Sequence, residues 1–105
     1  MDRYAKKRKV LRTQVTRLLN ECNERLNQQL TSEDANVLHD RLTGLKVELN
    51  AVNNEIEPLV ADQDSETEFT QVFEYNDRIT TCLSRLAHRS RTGFPNQQSP
   101  AIASI

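Results

Sequence analysis

The stretch Leu38-HDRLTGLKVELNAVNNEIEP-Leu59 decides the fold class. Its apolar members Leu38, Leu42, Leu45, Leu49, Val52, Ile56 and Leu59 follow one another in alternating steps of four and three residues. The spacing averages 3.5 residues, so these side chains lie in a narrow seam along one helix, the geometry by which a helix buries itself against other helices. Gly44 is a tolerated weak point, costing about 1 kcal/mol relative to Ala.

Working outward, the preceding segment sets Leu11, Val15, Leu18, Leu19, Cys22, Leu26 and Leu30 at three- and four-residue steps, one stripe of an amphipathic helix over about 4–30. Thr31-Ser32-Glu33-Asp34 supplies hydroxyls to cap a second helix over about 33–61 and acids that suit its positive end. Pro58 predicts a kink or stop near Glu57, because proline removes a backbone donor and clashes with the preceding turn. Ser65 and Glu68 have capping-box spacing, so a third helix is expected over about 65–89. Its ladder reads Phe69, Val72, Asn76, Ile79, Leu83, Leu86. Residues 1–9 read as a basic, frayed start, 10–89 as a helical bundle and 90–105 as a disordered linker or tail.

The expected fold is therefore all-α, an antiparallel helical hairpin or a three-helix coiled-coil-like bundle. Folding the helices back on one another pairs Leu18 with Leu45 and Cys22 with Leu42, then Leu45 with Ile79 and Leu42 with Leu83. The same register sets Lys6 to Lys9 beside Glu55, Glu57 and Asp62, and Arg78 and Arg85 near Glu48 and Asp40. With 105 residues, 36% of them hydrophobic, five aromatic and none Trp, the core is thin. Self-association, or the rest of a longer protein, is expected to add stability.

The net charge of −1 hides three blocks: +5 over residues 1–32, −10 over 33–77 and +4 over 78–105. The basic ends have an acidic middle to pair with, which argues against nucleic-acid binding by bulk charge. Two cysteines sixty residues apart make no disulfide framework, and no apolar run exceeds three residues. The expectation is an intracellular chain, cytoplasmic or nuclear and not secreted, with no membrane span.

Candidate chemistry is sparse. Lys6, Lys7, Arg8 and Lys9 form a cationic run that an import carrier or a nucleic-acid phosphate could read, set against a solvated helix start as the simpler reading. Cys22, Cys82, His39 and His88 lack the paired short spacings of a zinc site, and Cys22 is better placed as a small core side chain. Asn76 interrupts an apolar ladder, either selecting register or sitting at the seam's edge. The acids of 62–68 lack the glycine and terminal Glu offset of a calcium loop. The pattern contains no phosphate loop or nucleophile elbow, so no catalytic, cofactor-binding or metal residue and no small-molecule substrate is expected.

The segments Leu11-RTQVTRLLNE-Cys22 and Phe69-TQVFEYNDRITTCLSRL-Ala87, with IEPLV at Ile56 to Val60 between them, resemble the N-terminal helical region of Gag-like polyproteins of BEL/Pao long-terminal-repeat retrotransposons, arthropod copies above all. The resemblance covers roughly residues 8–91, and FEYNDRI is its most specific block. It implies a structural, assembly-type role in a polyprotein or a truncated copy of one, and carries over no catalytic residue. The expected function is a non-enzymatic helical interaction module whose partner is itself or another helical segment, through the seam residues of the second and third helices. The alternative is a free-standing coiled-coil adaptor, nuclear through Lys6 to Lys9, or a weak RNA binder through the same run.

Overall fold

The computed structural model describes residues 2–92, which form an all-α bundle of three helices: α1 (Asp2–Leu26), α2 (Ser32–Ile56) and α3 (Asp62–Thr92). Residues 93–105, most of the expected tail, lie outside the described residues, and α3 runs into the first part of that segment. The helices run up, down and up, so α1 and α3 are parallel.

Helix α1 is helical from Asp2, so the basic start is part of the rod rather than frayed. It ends at Leu26, four residues before the expected limit, and Leu30 closes the bundle from within the turn, fully buried. Thr31 then caps α2: its Oγ1 accepts a hydrogen bond from the Asp34 backbone N–H at 3.0 Å, satisfying one of the four free amides of a helix start. At the far end α2 stops at Ile56, and Glu57–Leu59 tighten into a single 3₁₀ turn containing Pro58. Proline's missing donor ends the helix where the sequence predicts.

Helix α3 starts earlier than expected, at Asp62, so the Ser65–Glu68 capping box does not form. Ser65 lies inside the helix and its Oγ donates back to the Asp62 carbonyl at 2.8 Å, while Glu68 turns inward. The core is built from the expected stripe of α1 and from Leu38, Leu42, Leu49, Val52 and Ile56 of α2, with Ile79, Cys82 and Leu86 from α3. Each such side chain contributes about 1.5–3 kcal/mol by leaving water.

The rotation of α3 is the main departure from the sequence reading. Ile79 and Leu86 are buried as expected and Leu83 packs partly buried against the core, but Val72 and Asn76 are only half-buried and Phe69 is exposed, while Glu68, Tyr75 and Cys82 turn inward. A helix packed on one neighbour needs one seam, whereas a helix touching two presents a wider stripe of two adjacent rows. The row Val72, Ile79, Leu86 is shared with the predicted ladder. The other row is Glu68, Tyr75, Cys82, Arg89, one residue away from the predicted positions and turned toward α1.

Candidate functional site

Each member of that second row meets α1 through a charged group, an aromatic ring or a sulfur atom. Arg8 donates from both terminal guanidinium nitrogens to the two Glu68 oxygens, Nη2 to Oε1 at 3.0 Å, and Nη1 also reaches Asn53 Oδ1 on α2 at 3.1 Å. The side chains of this pair are only 13% and 10% exposed. One turn on, the Arg12 guanidinium lies over the Tyr75 ring, 4.9 Å from its centre, and donates to Gln71 at 3.3 Å. Further along, Cys22 and Cys82 face each other as buried free thiols. Arg89 ends the row by donating to the Leu26 carbonyl at 3.2 Å, giving one of α1's free terminal carbonyls a cationic partner.

The charge pairs of the sequence reading are replaced by these. Among the described residues Lys6, Lys7 and Lys9 are exposed and have no acid in ion-pair range, and only Arg8 of that run is paired, with Glu68 rather than Glu55, Glu57 or Asp62. The run is wound into α1, which points its members in different directions. Arg78 lies over Tyr75, 4.7 Å from the ring centre, and Arg85 bonds Asn23 at 3.0 Å, so neither meets Glu48 or Asp40. For Arg78 and Arg85 the reason is shared: the rotation of α3 aims its cations toward α1 instead of α2.

Arg12 is electrostatically uncomfortable. Its Nε and Nη2 are buried without a hydrogen-bond partner. Burial, and then the neighbouring charge of Arg8, push its pKa below the usual guanidinium range, with Tyr75 and Glu68 acting in the opposite sense. In the thiol pair, the neighbouring Cys82 sulfur and burial push the Cys22 pKa up, whereas Arg85 favours the thiolate of Cys82.

The seam residues fall into two groups. Leu38, Leu42, Leu49, Val52, Ile56, Ile79 and Leu86 are interior and Leu45, Val72 and Leu83 are half-buried, while Leu59 is exposed in the 3₁₀ turn. Phe69 is 44% exposed, and Phe73, four residues on, is 70% exposed. Beside them Asn76 is half-buried at the α2–α3 edge, its Oδ1 enclosed and without a partner. A groove of about 340 Å³ between α2 and α3 is lined by Asn50, Asn53, Asn54, Phe69, Val72 and Asn76, among others. Among the described residues no aromatic side chain is fully buried, so the largest apolar groups lie at the surface of a core made of leucine, isoleucine and valine.

Glu68, Tyr75, Arg12 and Arg89 were not read as site residues in the sequence. The signal of the three on α3 was a seven-residue repeat with Cys82, visible only if two rows are sought on that helix. Among the described residues no group of three His, Cys, Asp or Glu side chains gathers as a metal would need, and no helix is long and apolar enough to cross a membrane. Set against family models, curated proteins and solved structures, the chain finds no match.

Proposed function

We propose that this bundle is a non-enzymatic helical interaction module, docking through the outer face of α3 on a second copy of itself or on another helical segment. The observation that carries the reading is the Phe69–Phe73 pair. Two of the largest apolar side chains sit on one exposed face instead of in the thin core, next to the orphaned Asn76 oxygen. A partner helix would remove the rings from water, and aromatic anchors of this kind dominate association energies. The resemblance to the N-terminal region of BEL/Pao Gag-like polyproteins points the same way, toward assembly rather than catalysis.

Sedimentation velocity over a range of concentrations tests it. The wild-type chain should associate, or bind a helical partner, and Phe73→Asp should remain monomeric with an unchanged helical circular-dichroism spectrum, because the side chain is mostly in solvent already. A wild type that stays monomeric at every concentration, with no helical partner bound through this face, removes the reading.

A further inference from the structure

The two basic blocks of the sequence, separated by its acidic middle, come together in three dimensions. Because α1 and α3 run parallel and touch, a groove of about 490 Å³ beside Arg8, Lys9, Arg12, Arg17 and Tyr75 continues, through shared Thr16, into one of about 260 Å³ beside Asn20, Asn23, Arg78 and Arg85. Asp77 is the one carboxylate among the residues lining both. From Arg8 to Asn23 the groove follows α1 for about 22 Å at a rise of about 1.5 Å per residue.

We propose that the α1–α3 groove binds the sugar-phosphate backbone of a single-stranded nucleic acid, without base readout. The groove's length suits on the order of four nucleotides, the low end for grooves that track one strand. Its cations recur along both walls instead of clustering at one point, which matches a line of phosphates better than a single anion. The Arg12 and Arg78 guanidinium groups both lie over the Tyr75 ring, which holds the two cations beside the groove. Arg12 in particular is a half-buried cation with a cationic neighbour, Arg8, and a phosphate beside it in the groove offsets that repulsion. This site is separate from the α3 outer face and does not depend on the assembly reading.

Fluorescence anisotropy of a labelled oligouridine with the full chain decides it. Affinity should fall about 50- to 130-fold between about 50 and 200 mM salt, as expected when four or five phosphates are neutralised. Arg17→Glu/Arg85→Glu, both exposed and outside the 6–9 run, should lose at least tenfold at low salt and flatten the salt slope by about 1.4. Arg41→Glu/Lys46→Glu on α2 makes the same change in net charge and should bind within about threefold of wild type. Equal loss in both variants, no binding at low salt, or equal displacement by a polyglutamate peptide overturns the proposal. If circular dichroism shows the first variant unfolded, Arg17→Gln/Arg85→Gln carries the same comparison, and unchanged binding there overturns it too.

Discussion

The seam between α1 and α2 and the seam between α1 and α3 are built by different rules. Leucine, isoleucine and valine fill the first, with Thr31 and Leu30 closing its turn, and any well-packed apolar set of similar volume would serve. The second is a column of individual partners: Arg8 with Glu68, Arg12 with Tyr75, Cys22 with Cys82, Arg89 with the Leu26 carbonyl. Sliding α3 along α1 by one turn would strand every one of them, and a buried charge without its partner costs several kcal/mol. The apolar seam supplies most of the burial, and the polar one fixes where α3 stands.

The largest effect should come from breaking the polar seam. Glu68→Ala leaves Arg8 enclosed without its carboxylate, and chemical denaturation should show a loss of about 3–5 kcal/mol. Arg8→Met/Glu68→Met should regain most of that, because desolvating the pair offsets much of its attraction; a double variant as weak as the single one would mean the pair is strongly stabilising in itself. On the apolar side, Leu42→Ala removes a fully buried side chain and should cost about 2–4 kcal/mol in the same assay, with no second-site substitution of matching charge able to restore it.

Thr31→Ala touches only the α1–α2 turn. Losing the cap to Asp34 should lower stability by about 1 kcal/mol and leave the Arg8–Glu68 coupling, measured by a double-mutant cycle, unchanged. The smallest effect runs in the opposite direction. Gly44 sits in mid-helix on the exposed side of α2, and a Cβ there would meet nothing within 4 Å, so Gly44→Ala should raise stability by about 0.5–1 kcal/mol, a rise of a few degrees in Tm.

The same contrast explains what could be read in the sequence. Most of the α1–α2 seam was legible, Leu45 (half-buried) and Leu59 (exposed in the 3₁₀ turn) aside, because apolar side chains at heptad spacing announce burial without reference to a partner. The cap at Thr31 and the stop at Pro58 were legible for local reasons, backbone donors needing an acceptor and proline lacking one. Glu68, Tyr75 and Arg89 were not. A charged residue turns inward only where another element offers its counterpart, and that counterpart lies sixty or more residues away. Without it, the hydropathy pattern favours Phe69, Asn76 and Leu83, each one position along, and rotates α3 toward the wrong neighbour. The basic groove was hidden by the same mistake, since cations expected to be quenched by acids instead line one face.

The order of the helices along the chain also bears on how the molecule comes into being. On a ribosome α1 and α2 are synthesised first, and each already holds its share of the leucine stripe. Arg8, by contrast, has no Glu68 to close on until residue 68 has been added, and the Leu26 carbonyl has no guanidinium partner until residue 89. A nascent chain stopped short of α3 therefore keeps a hydrated arginine at the very place where the finished protein has a dry one.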